Sequence, residues 1–158
     1  LVPFSVNGFR ITSFCPVKKV SESYDKLYLG SNVESVGENT VYLSGNFSSL
    51  REINVDPANK YLTAYKNVLY NIGDDAPYFI PSAITRLELK PVKVIEKNFI
   101  YRLENVEEIV FAEGTERIEA YAVEKCRNLR TVYVPASVTY MDKEAIYDCG
   151  DKVEIIRK

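Results

Sequence analysis

The residues that could carry out chemistry are acids and cysteines, because the chain contains no histidine. Without histidine, neither a Ser-His-Asp nor a Cys-His arrangement can form, and the usual zinc ligand sets are incomplete. The three cysteines form no CxxC pair, and neither GxGxxG nor GxxxxGK[ST] occurs. The sequence therefore predicts a protein that is not an enzyme and that uses no cofactor.

Acidic side chains occur as close neighbours at Glu107-Glu108, Asp74-Asp75 and Glu113/Glu116. Two carboxylates can serve as the acid and base of a glycosidase, but adjacent acids in turns are usually solvated. Calcium could bind at Asp74-Asp75, yet the ligand spacing of an EF-hand loop is absent. We therefore expect surface acids rather than a catalytic or metal site.

The composition fits a single domain over residues 1–158, with 46% hydrophobic residues and a formal net charge of −2. So small a charge favours neither nucleic acid nor acidic lipid. No run reaches the roughly 18 apolar residues of a membrane-spanning helix. The chain begins with Leu1-Val2-Pro3 rather than with a basic segment and an apolar core. We expect a fragment or a mature piece whose signal or anchor lies elsewhere.

The elements that position these side chains come from a repeat, seen best between Cys126 and Cys149. Residues 131–135 fit a short strand that Pro135 ends, because proline has no amide hydrogen for a ladder. A shift of 23 residues superimposes Ile109 on Val132, and the same shift superimposes other apolar positions. The apolar anchors of the coil are Leu129, Val132, Val134, Val138, Met141, Ala145 and Ile146. One such coil cannot bury its own apolar side, so the pattern predicts a stack of coils.

Other segments extend the predicted stack. Similar apolar-x-apolar strands occur at residues 27–29, 53–55, 87–89 and 153–155. We expect short helices or 3₁₀ turns over residues 97–103, 120–125 and 143–148, and a short extra strand at 41–43. Residues 1–26 are expected to form an irregular or hairpin segment that caps the first coil, since a solenoid must cover its open strand edges.

A family resemblance rests on two motifs. The first is Cys126, Asn128-Leu129, Val134-Pro135, Ser137-Val138, Met141, Ala145-Ile146 and Cys149, which resembles the consensus of the BspA-like leucine-rich repeats of bacterial surface proteins. The second is an insertion that reads Val55-Asp56, Asn59, Tyr61, Val68-Leu69-Tyr70 and Pro81. Lys66-Asn67 stands where the family usually has Asp-Gly, and Asn tolerates the left-handed backbone of such a turn.

The resemblance covers about residues 27–158 and implies an α/β solenoid. The implied fold is a leucine-rich-repeat-like, right-handed stack of roughly 23-residue coils. It has one parallel sheet, short strands, and short helices or 3₁₀ turns. A β-hairpin insertion is expected at about residues 59–81.

Cys126 and Cys149 occupy the same position in adjacent coils and should stack. A disulfide between them is sterically conceivable, because stacked Cα atoms would lie within the usual range. We favour two small buried hydrophobic side chains, since Leu103 holds the equivalent position one coil earlier. Cys15 is then a lone thiol.

The outward positions of the predicted strands form the candidate site. The row reads Tyr28, Asn54, Glu88, Val110, Tyr133 and Glu154. A rigid parallel sheet suits a large partner, although the row could equally be a solvated face. The insertion is a second candidate because it is rich in aromatic residues, namely Tyr61, Tyr65, Tyr70, Tyr78 and Phe79. These side chains could also simply pack the hairpin onto the solenoid.

The resemblance implies an extracellular or cell-surface adhesion module that binds a protein or a glycan. The alternative is a spacer that binds nothing itself. Nucleic acid is not an expected partner, and the sequence does not indicate an oligomeric state.

Overall fold

The structure is a computed structural model that describes the backbone of residues 5–6 and 9–10 and all of residues 25–36 and 49–158. Its chain divides into two compact units, Leu1–Ala83 and Ile84–Lys158. The predicted strand at 41–43 and the lone Cys15 lie outside the described residues.

The described residues of the first unit form three pairs of strands. Strands β1 (Ser5–Val6) and β2 (Phe9–Arg10) form a short antiparallel hairpin within the segment that was predicted to be irregular or a hairpin. Strands β3 (Lys26–Leu29) and β4 (Glu52–Val55) pair in parallel, which confirms these two coil strands. Strands β5 (Leu62–Tyr65) and β6 (Val68–Asn71) pair antiparallel as the predicted insertion.

The turn of the insertion confirms the expectation for Lys66-Asn67. Both residues have positive φ, 49° for Lys66 and 66° for Asn67. Two consecutive left-handed residues define the tight turn whose twist matches an antiparallel ribbon. Lys66-Asn67 therefore replaces Asp-Gly without loss of the hairpin.

Buried Asn59 ties the start of the insertion to the first coil. Its side-chain amide donates to the carbonyl oxygens of Gly30, at 2.8 Å, and Val33, at 2.9 Å. Its side-chain oxygen accepts from the backbone amides of Tyr61 and Leu62, both at 2.8 Å. All the hydrogen-bonding groups of one buried side chain are thus used, which orders the loop that enters β5.

The second unit contains ten short strands. They are β7 (Arg86–Glu88), β8 (Val94–Ile95), β9 (Ile100–Tyr101), β10 (Glu108–Val110), β11 (Arg117–Ile118), β12 (Val123–Glu124), β13 (Thr131–Val134), β14 (Tyr140–Met141), β15 (Ile146–Tyr147) and β16 (Glu154–Arg157). They form three parallel sheets, in the orders β16-β13-β10-β7, β14-β11-β8 and β15-β12-β9. The predicted stack of coils is confirmed, with three sheets here where one was expected.

The predicted short helices are replaced by the strands β9, β12 and β15, and no helix occurs in the part of the chain that the structure describes. Left-handed residues flank two of these strands: Asn98 and Arg102 around β9, and Tyr121 and Lys125 around β12. A right-handed helix needs negative φ at every residue, so a positive value every fourth residue interrupts it. The fold is therefore a β-solenoid rather than an α/β one.

The 23-residue spacing is confirmed by the register of the longest sheet. Ile109 pairs with Val132, 23 residues later, and with Leu87, 22 residues earlier, so that coil is one residue shorter. All three are at most 1% exposed. The apolar positions of successive coils therefore lie in one column in the core.

The register of the last strand differs from the prediction by two residues. The sequence interpretation aligned residues 153–155 with the earlier apolar-x-apolar segments. In the structure Val132 pairs with Ile155, which continues the shift of 23 residues, and Val153 precedes the strand.

Cys126 and Cys149 are both free thiols. The expected burial is confirmed for Cys126, which is fully buried. It is wrong in part for Cys149, which is only partly buried.

The core column gives a stability prediction. We expect Ile109→Asp to cost more than about 4 kcal/mol of unfolding free energy, because it places an unpaired charge in the core. The matched variant Glu88→Lys, on the outer side of the neighbouring strand, should change it by less than about 1 kcal/mol. Urea unfolding curves measure both, and an unchanged Ile109→Asp curve would refute the register.

The hairpin turn gives a second prediction. Asn67→Val should cost about 1–2 kcal/mol, because a β-branched residue disfavours the left-handed conformation. Asn67→Gly should match or slightly exceed the wild type at this position. If both variants unfold at the same urea concentration, the turn does not constrain the insertion.

Candidate binding face of the parallel sheet

Three of the predicted site residues lie side by side in the second unit. Val110 pairs in register with Glu88 on β7 and with Tyr133 on β13. Their neighbours along each strand, Leu87, Ile109 and Val132, are buried. Since successive side chains of a strand point to opposite faces, Glu88, Val110 and Tyr133 face outward together.

Ile156, rather than Glu154, continues this row. Tyr133 pairs with Ile156, whereas Glu154 pairs with Thr131. Glu154 lies two residues earlier on the same outer face, so the prediction of its place in the row is wrong by one strand period. The signal that would have found Ile156 is the repeat itself, because it lies 23 residues after Tyr133.

The sheet face therefore has an apolar centre. Val110, Tyr133 and Ile156 are neighbours in register, and all three are partly exposed. Charged residues surround them, namely Arg86, Glu88, Glu108, Glu154 and Lys158. An aromatic and aliphatic centre with a charged rim is the typical make-up of a protein interface.

Arg86 organises one side of this rim. Its guanidinium donates to Glu88 at 3.0 Å and also forms an ion pair with Glu108. The pKa of Arg86 is raised, chiefly by the hydrogen bond to Glu88. Because these side chains are substantially exposed, the pairs contribute little to stability and mainly fix the orientation of the guanidinium.

Two cations contact the ring of Tyr133. The guanidinium carbon of Arg86 lies 5.4 Å from the ring centroid, and Lys158 Nζ lies 4.3 Å from it. Both distances are within the range of a cation–π interaction. The ring is thus held by groups from β7 and from the end of β16, which gives Tyr133 a defined position on the face.

In the first unit, Tyr28 pairs in register with Asn54. Tyr28 is exposed, and the side-chain amide of Asn54 donates to Glu52 at 2.7 Å. Lys26 Nζ lies 2.8 Å from Glu52, and its hydrogen bond is the main reason that the pKa of Glu52 is lowered. This pair of strands presents a polar surface with one aromatic side chain.

The aromatic residues of the insertion divide into two groups. Tyr70 and Phe79 are buried. Phe79 lies in the core cluster of the first coil, and the Tyr78 hydroxyl accepts from the Val36 amide at 3.1 Å, so these two side chains pack the hairpin onto the first coil. Tyr61 and Tyr65 are exposed, at 42% and 40%. Packing therefore explains most of the aromatic residues of the insertion, which was the second candidate binding site.

Among the described residues, no group of three potential metal ligands comes together. Asp74 accepts a hydrogen bond from the side-chain amide of Asn71 at 2.9 Å. This contact places Asp74 in the turn that follows β6, as the sequence indicated for Gly73-Asp74-Asp75. The described residues also contain no helix with the length and apolar character needed to cross a membrane.

The stacked coils, short parallel strands and hairpin insertion define a leucine-rich-repeat solenoid. The model of the BspA type leucine-rich repeat region matches residues 19–152 in six copies. The chain belongs to this family. The match begins at residue 19, earlier than the expected residue 27.

Comparison with solved structures gives three similar chains. They are a leucine-rich cell surface protein from Faecalibacterium prausnitzii (16% identity, 93% of this chain, 51% of that chain, TM-score 0.41), a leucine-rich repeat protein from Eubacterium ventriosum (15%, 84%, 48%, 0.39) and the pneumococcal vaccine antigen PcpA (15%, 84%, 42%, 0.42). The present chain spans about half the length of these structures or less. No curated protein matches it.

Proposed function

We propose that this chain is a non-catalytic binding module of a bacterial surface or secreted protein. Its sheet face takes up a macromolecular partner, and adhesion is the role that this implies. The observation that carries the proposal is the row Val110, Tyr133 and Ile156, three partly exposed apolar side chains adjacent in register on one sheet.

The rigidity of the face supports this function. The strands that carry this face are anchored in the core. Ile109 and Val132, which precede Val110 and Tyr133, are fully buried. A partner that binds here does not have to order flexible loops first, which lowers the entropic cost of association. Aromatic residues in the centre of such faces are the usual hot spots.

A protein is the partner class that the face fits best. The apolar centre resembles an interface core, and the surrounding charges of both signs suit a rim that excludes water. The face is also a shallow surface of sheet side chains rather than an enclosed pocket for a small molecule. A glycan remains an outcome of the test, because the Tyr133 ring could also stack on a sugar.

The alternative is a spacer that holds another domain away from the cell and binds nothing. The observation that favours it is the internal use of the Tyr133 ring, which already contacts Arg86 and Lys158. In that case these contacts serve only to order the surface.

A binding experiment separates the two functions. The intact chain is applied to arrays of extracellular-matrix proteins and of glycans, and each ligand found is titrated against variants. We expect Tyr133→Ala to weaken binding at least tenfold, since it removes the centre of the face. Unchanged melting temperatures would show that the loss does not come from unfolding.

The matched control is Tyr140→Ala. Tyr140 is likewise exposed and contacted by a cation, with Arg117 4.2 Å from its ring centroid, but it lies on β14 in a different sheet. Its removal should leave affinity within about threefold. If the wild type binds nothing, the spacer function is favoured. If both tyrosine variants bind as the wild type does, the ligand binds outside this sheet face and the proposed site is wrong.

A further inference from the structure

Cys126 and Cys149 occupy equivalent positions in the last two coils. Glu124 and Tyr147 are register partners of β12 and β15, and each cysteine follows its partner strand by two residues. The local geometry also repeats: Cys126 Sγ lies 3.7 Å from the Glu124 carbonyl oxygen, and Cys149 Sγ lies 3.3 Å from that of Tyr147. Two adjacent coils therefore present two thiols at the same level.

The chain around Cys149 is drawn against the preceding coil. Cys149 Sγ lies 3.6 Å from the carbonyl oxygen of Val123, which belongs to the coil of Cys126. A Cβ atom at Gly150 would lie 2.2 Å from the Leu129 carbonyl oxygen, so the close approach requires glycine here. The two thiols are close enough for each to shift the pKa of the other.

The two thiols differ in accessibility. Cys126 is fully buried, whereas Cys149 is partly exposed and lines an open cleft of about 510 Å³. Met141, Ile146, Val153 and Ile155 contribute the apolar walls of this cleft, and Ile155 is 46% exposed. A small reagent can therefore reach Cys149 from the cleft, whereas Cys126 has no exposed surface.

The ionisation of the pair follows the same asymmetry. The hydrogen bond from Cys126 lowers the pKa of Cys149 to about 7. The same bond, together with burial, raises the pKa of Cys126. Cys149 is thus the sulfur that carries the negative charge first, and the thiolate is the reactive form of cysteine.

We propose that Cys126 and Cys149 form a disulfide bond with each other when the protein meets an external disulfide. This bond cross-links the two coils to which they belong. The spacing fits: neighbouring parallel strands lie about 4.8 Å apart, within the roughly 4.4–6.8 Å between the Cα atoms of a disulfide. In the reduced protein, Cys126 is a buried core residue, as Leu103 is at the equivalent position one coil earlier.

The reaction proceeds in two exchanges. The Cys149 thiolate attacks one sulfur of a disulfide RSSR, forms a mixed disulfide Cys149–S–SR and releases RS⁻, which takes up a proton from water. Cys126 then loses its proton to water and attacks the Cys149 sulfur, and the second RS⁻ leaves and is protonated. In sum, two protein thiols are oxidised to one disulfide while RSSR is reduced to two RSH.

The link would lie beside the shorter of two ladders between these coils, since β13 and β16 pair over four residues. Strands β12 and β15 pair over only Val123–Ile146 and Glu124–Tyr147. A covalent bond two residues beyond this ladder would hold the coil that carries β15 and β16 against the coil that carries β12 and β13.

The test uses oxidised glutathione as the probe. The intact reduced chain is incubated with it at about pH 8, remaining thiols are blocked with N-ethylmaleimide, and unreduced tryptic peptides are analysed by mass spectrometry. We expect one cross-linked product that joins residues 126–127 to residues 144–152. In Cys15→Ser protein, thiol titration in denaturant should fall from two groups to none.

Two variants identify the order of attack. Cys126→Ser should stop at a glutathione adduct on Cys149, and Cys149→Ser should leave Cys126 unmodified in the folded protein. If either variant fails to fold, the peptide map of the wild type alone decides. Separate adducts on Cys126 and Cys149 with no peptide joining them, or two titratable thiols left in oxidised Cys15→Ser protein, would overturn the proposal.

Discussion

The structure of the second unit depends on the parallel pairing of identical positions in successive coils. Leu87, Ile109 and Val132 are register partners and lie in one buried column. No single coil has enough apolar surface to offset the entropy of ordering its backbone, which is about 1–2 kcal/mol per residue. Each coil is stable only on its neighbour, so a near-constant spacing is a physical requirement and not merely a sequence pattern.

The same pairing creates the surface on which function is proposed. If the inward positions form a column, the next positions along each strand must form an outward row, because strand side chains alternate. Val110, Tyr133 and Ile156 are aligned for this reason. The ion pairs of Arg86 with Glu88 and Glu108 orient the guanidinium but add little stability, because these side chains are exposed to solvent. The stability of the face and its recognition chemistry thus reside in different residues.

Much of this fold could be predicted because the repeat is a long-range signal. The match of Ile109 to Val132 specifies a contact between residues far apart in sequence, and the positive φ angles of Lys66 and Asn67 follow from turn chemistry. The short helices could not be predicted correctly, since left-handed residues such as Tyr121 and Arg102 are not of the types that usually adopt positive φ. The place of Glu154 could not be predicted from the apolar-x-apolar pattern at 153–155, because the register of the last strand follows the 23-residue shift instead of that local pattern. The cation contacts of Tyr133 depend on side-chain positions that no sequence spacing specifies.

Amide hydrogen exchange at single-residue resolution tests the stacked register most directly. The amides of Glu154 and Lys158 donate to the carbonyl oxygens of Arg130 and Val134, and in a parallel ladder Ile156 belongs to the same alternating set. The amide hydrogens of Ile155 and Arg157 then point away from β13, toward the edge of the sheet. We predict slow exchange at Val132 and Tyr133 and at Ile156, and fast exchange at Ile155 and Arg157. Fast exchange throughout β13, or the opposite alternation on β16, would contradict the stacking of these coils.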